Sequence, residues 1–401
     1  MTPLPASRRS FLLSRFSLWF YSAYIIAAGA GIFFIRFEAP SVSTLLAVFV
    51  YIASSYFGLK IGEWLPDFFG TSGSAKKSSV LIWPGAIFVS AMVLLMWLFM
   101  IKRYGSLQYI FANAFTIRLE SIGASSSVYP TIVSYGASLG YALFALALFS
   151  RKWAAAILLF ADIALVDMVT FGRVGTLFAI FLVVAWYLIR RLKILTGRNV
   201  VLFAFLVAAL VMPRLVRGNF DNFEGTVSSY RPYFRNTPPS IFNVFIGNYI
   251  YYFSSGYALN SYMNSGWEEE ARSGGSRMLA PAMNILSKFT HDPRVEMRDE
   301  MSEIPFEFNI YTVIHDWITD FGILGLAIGP LILNAIFSML SRGPGLVPNA
   351  IKSFTAAYIF YSPIYYIFSF GGFLISLLFL IMLRFVTLSP LPDEARTDAS
   401  V

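Results

Sequence analysis

The chain alternates long apolar stretches with short polar segments. A helix needs roughly 20 apolar residues to cross a hydrocarbon core about 30 Å thick, because each residue adds about 1.5 Å. The pattern therefore predicts an all-α polytopic membrane protein, with about ten transmembrane helices in one integral membrane domain, residues 1–401. The predicted spans are 17–35, 42–61, 80–101, 129–149, 153–171, 174–190, 199–216, 318–340, 351–368 and 371–388.

Basic residues between the predicted spans lie mainly on one side of the membrane. The basic-rich side holds Arg8, Arg9, Arg15, Lys60, Lys76, Lys77, Arg151, Lys152, Arg190, Arg191, Lys193, Arg198, Arg342, Lys352, Arg384 and Arg396. The short loops on the other side hold only Arg36, Lys102, Arg103, Arg118 and Arg173. Because cytoplasmic loops carry the excess of Lys and Arg, both termini are expected in the cytoplasm.

One connection is far longer than the others. It covers residues 214–317 and is expected on the external side, as a large loop that contains interfacial helices. Its segment 241–262 mixes aromatic and aliphatic residues with Gly, Asn and Ser, which favours either a helix in the membrane interface or a re-entrant hairpin. Lys288 is its only lysine, and its other basic residues are Arg214, Arg217, Arg231, Arg235, Arg272, Arg277, Arg294 and Arg298. Arginine grips phosphate or carboxylate bidentately, so this bias indicates an anionic substrate.

Composition narrows the possible chemistry. The chain is 57% hydrophobic and 13% charged, whereas about 25% of residues are charged in soluble domains. Its net charge of +8 is explained by membrane topology, so no nucleic-acid partner is expected. There is no cysteine, the only histidines are His291 and His315, and no Asp-x-Asp pair occurs. We therefore expect neither a metal site nor a cofactor.

The fifth predicted span carries two carboxylates and ends in a glycine-containing turn. Asp162 falls near the middle of the membrane, and Asp167 lies about one turn below the external end, close enough to meet Arg173. One interpretation is that Arg173 faces an anionic substrate and Asp167 orients it. The alternative is a structural ion pair.

A second polar group leads from the loop into the eighth predicted span. With 3.6 residues per helical turn, Tyr311 and His315 share one stripe, and Thr312, Asp316 and Asp320 share the next. The ordinary pKa of histidine near 6.5 suits proton removal at neutral pH, so His315 is a candidate general base. The alternative is an interfacial histidine that is hydrogen-bonded to a neighbour.

The same region resembles a known family. Asn309-Ile310-Tyr311-Thr312 and Asp320-Phe321-Gly322-Ile323-Leu324-Gly325 resemble the Asn-x-Tyr-Thr and Asp-Phe-Gly-x-x-Gly signature of bacterial oligosaccharide repeat-unit polymerases, the Wzy-type O-antigen polymerases. Similar features are the aromatic, Gly-rich segment 245–260, the run Gly274-Gly275-Ser276-Arg277 and the turn Gly172-Arg173.

The resemblance implies a fold similar to lipid-dependent, GT-C-like glycosyltransferases. It also implies an enzyme of the bacterial inner membrane that joins oligosaccharide units carried by polyprenyl diphosphate on the external leaflet, without a metal. A chain-length regulator and a flippase are the partners implied. The site would comprise the catalytic residues His315, Arg173 and Asp316 and the substrate-binding residues Arg231, Arg235, Arg277, Tyr311 and Asp320. An O-antigen ligase-type transferase and a transporter or flippase for lipid-linked sugars remain the alternatives.

Overall fold

The structure is a computed structural model that describes most of the apolar part of the chain. The described residues are 6–66, 80–113, 117, 131–169, 174–190, 231–235, 249–250, 252–265, 275, 277–278, 302–303, 307–308, 312–343, 345–364, 367 and 371–386. The predicted span 199–216 lies outside them, as does most of the loop 214–317.

The described part is almost entirely helical. Its helices are α1 (Ala6–Phe34), α2 (Val42–Trp64), α3 (Ile82–Tyr104), α4 (Leu107–Ala112), α5 (Thr131–Ser138), α6 (Gly140–Ser150), α7 (Trp153–Val169), α8 (Val174–Arg190), α9 (Ser255–Asn264), α10 (Val313–Leu340), α11 (Leu346–Tyr361) and α12 (Gly371–Val386). A 3₁₀ turn covers Arg231–Tyr233, and the short strands β1 (Ser302–Glu303) and β2 (Glu307–Phe308) pair antiparallel.

Several of these helices have the length and composition of membrane spans. Among the described residues, five stretches meet both requirements: Leu13–Phe34, Val42–Trp64, Ile82–Tyr104, Ile132–Ser150 and Val313–Leu340. The helices α8 and α12 are also apolar but shorter. Large apolar side chains such as Ile26, Phe33 and Phe49 point outwards, as lipid-facing residues do. The prediction of a helical membrane protein is confirmed, and the count of ten spans stays a prediction.

The closest helix contact joins α2 to α10. A side chain at Gly58 would collide with the backbone of Leu331, and one at Gly62 would collide with the backbone of Ala335. The Ser338 hydroxyl donates a hydrogen bond of 2.9 Å to the Leu59 carbonyl across this contact. Small residues four apart let two membrane helices approach closely, so this glycine pair fixes α10 against α2.

The helix α10 is bent near its N-terminal end. Gly322 breaks the helical backbone with φ 70° and ψ −168°, a conformation that favours glycine. The break turns residues 313–321, which we call the α10 arm, back onto the main helix, so that the Trp317 ring covers Gly329. The predicted span 318–340 therefore begins earlier, at Val313, and is not straight.

The helix α9 lies inside the helical bundle. The Tyr257 hydroxyl donates to the Ala28 carbonyl at 2.6 Å, and the Ser255 hydroxyl donates to the Pro363 carbonyl at 2.6 Å. The Tyr249 hydroxyl, just before this helix, donates to the Ala27 carbonyl at 2.8 Å. Because Ala28 lies well before the end of α1, this depth favours the re-entrant alternative for residues 241–262.

Candidate functional site at the start of α10

The carboxylate of Asp167 joins α7 to α8. Its two oxygens accept hydrogen bonds from the backbone amides of Gly175, at 3.2 Å, and Thr176, at 2.6 Å. A side chain at Gly175 would lie 2.9 Å from the carboxylate, so this contact requires glycine. The expected partner Arg173 lies outside the described residues. The contacts that are described are those of a helix cap.

Asp162 has a comparable structural contact deeper in the bundle. Its carboxylate accepts a hydrogen bond of 2.7 Å from the Ser90 hydroxyl of α3. Only 5% of Asp162 is exposed, and Asp167 is buried to the same degree. Both intramembrane carboxylates thus meet the requirement that a buried charge be hydrogen-bonded.

A second carboxylate, Asp320, organises a polar cluster at the α10 arm. It accepts hydrogen bonds from the backbone amides of Arg277, at 3.2 Å, and Met278, at 2.7 Å. Gly275 precedes these residues with φ 94°, a value that favours glycine and lets the chain turn towards the carboxylate. Only 1% of Asp320 is exposed, so its carboxylate holds the backbone at Arg277 from within the protein.

The side chains around Asp320 form what we call the rim cluster, made of Tyr262, Arg277, His315, Asp316 and Asp320. The Arg277 guanidinium lies 3.9 Å from the Asp316 carboxylate, and His315 Nδ1 lies 3.6 Å from the same oxygen. The Tyr262 ring contacts the His315 ring edge to face, with 4.4 Å between centroids. Asp316 therefore lies between a cation and an imidazole.

The rim cluster contains one group that can bind an anion and another that can accept a proton. Arg277 offers a planar set of donors for an anionic group, and Asp316 keeps it oriented. His315 is buried and held by Tyr262, so its ring orientation is fixed, as a proton acceptor requires. The Tyr262 hydroxyl also hydrogen-bonds the Thr319 hydroxyl at 3.1 Å, which ties α9 to the α10 arm.

An apolar groove of about 280 Å³ adjoins the start of the α10 arm. Its outer wall includes Ile25, Leu45 and Phe49, and 68% of Phe49 is exposed, so the groove opens towards the surrounding lipid. Its other walls carry hydroxyl-bearing residues: Tyr21, Thr44, Tyr51, Thr312 and Ser362. The groove is thus mainly apolar, with a few hydroxyl-bearing residues in its walls.

Thr312 links the groove to the rim cluster. It precedes α10, lines the groove and accepts a backbone hydrogen bond of 3.0 Å from His315. Its hydroxyl is buried and has no hydrogen-bond partner among the described residues.

No family model, curated protein or solved structure matches this chain. The function is therefore argued from the rim cluster, the groove and the sequence signature. Within the described residues, no group of three His, Asp or Glu side chains lies close enough together to hold a metal ion.

The structure brings together four of the eight site residues expected from the sequence, namely Arg277, His315, Asp316 and Asp320. Arg235 is exposed beside the end of α1, where its backbone amide donates to the Phe34 carbonyl at 2.9 Å. Arg173, Tyr311 and the Arg231 side chain lie outside the described residues.

Sequence reasoning missed Tyr262 and the groove. Tyr262 ends the segment 241–262, whose aromatic content was noted without assigning a role to any one residue. The groove forms only where four helices and the α10 arm converge. No local pattern reports such a convergence.

Proposed function

We propose that this protein polymerises lipid-linked oligosaccharide repeat units into a surface polysaccharide, O-antigen or exopolysaccharide. The observation that carries the proposal is the rim cluster, in which a positioned arginine and a buried histidine flank one carboxylate beside a lipid-facing groove. The chain would be a multi-pass protein of the bacterial inner membrane with both termini in the cytoplasm and its loop 214–317 outside. The fold would be GT-C-like.

The charge on the leaving group accounts for the arginine in the rim cluster. Glycosyl transfer from a polyprenyl-diphosphate donor breaks the bond between the sugar and the diphosphate and leaves the electron pair on a diphosphate oxygen. A guanidinium stabilises this growing charge without a metal ion. Arg277 is the described candidate, and Arg173, Arg231 and Arg235 are further candidates from the sequence.

The need to deprotonate the acceptor sugar hydroxyl accounts for the histidine in the rim cluster. The attacking sugar hydroxyl must lose its proton to a base within hydrogen-bond reach. His315 would take this proton, and Asp316 would stabilise the imidazolium that results. Tyr311 would contact sugar at the start of the α10 arm, while Asp320 would hold the Arg277 backbone.

The groove supports a lipid-linked donor. Its apolar walls suit a prenyl chain that enters from the membrane. A chain-length regulator and a flippase would be the protein partners.

One observation favours a transporter as the second candidate. Broken helices are typical of transporters, and α10 is broken at Gly322. The break, however, lies nine residues after the start of this 28-residue helix, and the rim cluster surrounds the arm before it. This position favours chemistry at one membrane face over a path through the bundle.

Deletion of the gene separates the candidates. Loss of a polymerase leaves surface glycan with a single repeat unit, loss of a ligase leaves polymer on the lipid carrier, and loss of a flippase blocks external glycan. We expect the single repeat unit on a gel. A normal ladder of lengths would overturn the proposal.

The role of His315 is tested in the complemented deletion strain. We expect His315→Gln to abolish elongation at unchanged protein level, because glutamine cannot accept the proton at neutral pH. His291→Gln, at the only other histidine of the chain, is the matched control and should retain the ladder. Full activity of His315→Gln would exclude His315 as the base.

A further inference from the structure

Two glycines in the walls of the apolar groove have open space where a side chain would lie. They are Gly29 of α1 and Gly256 of α9. Apart from each residue's own helix backbone and chain neighbours, no atom in the described part of the chain lies within 4 Å of the position that a Cβ atom would take. Because both residues line the groove, each glycine widens it by the volume of the missing side chain.

The fold itself does not require glycine at these two positions. Gly31, also on α1, differs from them, because a side chain there would collide with the Tyr249 hydroxyl. Neither Gly29 nor Gly256 has the positive φ that favours glycine. Glycine in a helix is less stable than alanine, since it loses more backbone freedom on folding. The two residues therefore weaken their helices without allowing a closer contact between the described helices.

The groove connects these glycines with the rim cluster. The helices α1 and α9 are held together beside Gly256, where the Ser255 hydroxyl lies 3.1 Å from the Tyr24 hydroxyl. At the α10 arm the groove reaches Ile314, the residue before His315. A molecule whose apolar chain lies in the groove therefore has its head group beside the rim cluster.

We propose that Gly29 and Gly256 make the groove specific for a branched prenyl chain over a straight acyl chain. A prenyl chain carries a methyl branch on each isoprene unit, and these branches fill the space at the two glycines. Membrane lipid is as apolar as the groove, so the discrimination comes from packing and not from the hydrophobic effect. The identity of the occupant rests on the proposed function, whose donor carries such a chain.

The test measures binding to the purified full-length chain in detergent. Native mass spectrometry compares phytanyl phosphate, a saturated prenyl chain, with hexadecyl phosphate, which differs from it only in lacking the methyl branches. We expect the wild-type chain to bind phytanyl phosphate about 25-fold more tightly, because leaving a void the size of a methyl group at each glycine weakens binding about fivefold.

Alanine at either glycine should reduce this preference. Gly29→Ala and Gly256→Ala each add the methyl group that a branch would otherwise supply, so each should lower the ratio of the two affinities about fivefold. The double variant should bind both phosphates equally. The unfolding midpoint of each variant should stay the same or rise, because alanine favours a helix more than glycine does.

The matched control is Ala23→Leu. Ala23 is an exposed residue of α1 that does not line the groove. A larger side chain there adds apolar volume to the same helix without filling the space at the glycines. The ratio of the two affinities should therefore equal that of the wild-type chain.

Three results would overturn the proposal. Equal affinities of the wild-type chain for the two phosphates would indicate a groove that accepts any lipid chain. An unchanged ratio in both alanine variants would show that the glycines do not set the preference. A lower ratio accompanied by a lower unfolding midpoint would indicate that the glycines are needed for folding.

The binding test and the gene deletion fail independently. A normal ladder of glycan lengths with the preference for phytanyl phosphate intact would reject the polymerase and keep the groove as a site for branched lipid chains. A single repeat unit after deletion, with no preference between the two phosphates, would keep the polymerase and reject the role of the two glycines.

Discussion

Two buried aspartates use the same contact for different purposes. Asp167 accepts hydrogen bonds from the amides of two consecutive residues, Gly175 and Thr176, and Asp320 does the same with Arg277 and Met278. The longer bond is 3.2 Å in both pairs, and the shorter bonds are 2.6 Å and 2.7 Å. The local chemistry is nearly identical.

The two pairs of amides belong to different kinds of backbone segment. Asp167 holds the first turn of α8, whose amides have no partner within the helix. Asp320 holds a turn outside any helix, and this turn carries an arginine that faces Asp316. The first contact therefore stabilises the fold, and the second places a side chain in the proposed site. A carboxylate with buried amide partners is not by itself a functional residue.

The largest effect is expected for Asp320→Ala. The turn at Gly275 loses its anchor, so Arg277 is no longer held beside Asp316. We expect the elongation rate to fall about 100-fold, which is the effect of displacing a catalytic group by about 1 Å. The measurement is the rate of polymer formation from lipid-linked repeat units by purified protein.

A double-mutant cycle, measured as the elongation rate per folded molecule, tests whether Asp320 acts through Arg277. Arg277→Lys removes the planar guanidinium, so it should impair elongation in the wild-type background more than Lys288→Arg does. In the Asp320→Ala background, Arg277→Lys should have little further effect, because the arginine is already displaced. Additive effects of the two changes would show that Asp320 does not act through Arg277.

Asp167→Ala is expected to act on stability instead. Two amides of α8 lose a charged acceptor, which costs about 2 kcal/mol of unfolding free energy. Thermal unfolding in detergent should show a lower midpoint, while the elongation rate per folded molecule changes little. Asp162→Asn, which still offers Ser90 an acceptor oxygen, is the control and should cost less than about 1 kcal/mol. If Asp167→Ala lowered the elongation rate per folded molecule, the contact between α7 and α8 would belong to the functional site.

The two regions also differ in how well the sequence predicts them. Hydropathy correctly located α7, the helix that contains both Asp162 and Asp167. The sequence also placed Asp316 and Asp320 on one stripe of a helix, and both contact Arg277 in the structure. These predictions depend only on helical periodicity.

Contacts between distant segments could not be predicted in this way. The bend of α10 depends on the space that Gly325 and Gly329 leave for Phe321 and Trp317. A glycine in a membrane helix can lie in a straight helix or beside a bend, and only the packed structure distinguishes these two cases. The pairing of Asp167 with backbone amides was missed for the same reason, since the sequence suggested the charged side chain of Arg173.

The smallest effect is expected for Tyr262→Phe. This change removes the hydrogen bond to Thr319 but keeps the ring against His315, so the link between α9 and the α10 arm is weakened by about 1 kcal/mol. The elongation rate should fall about fivefold if the link holds His315 in its reactive orientation.

Tyr257→Phe is the matched control on the same helix. Its hydroxyl bonds the Ala28 carbonyl of α1, away from the rim cluster, so its loss should lower the unfolding midpoint without changing elongation per folded molecule. If Tyr262→Phe behaves in the same way, α9 only packs the bundle. If Tyr262→Phe alone slows elongation, α9 positions His315 from one side in the way that Asp320 positions Arg277 from the other.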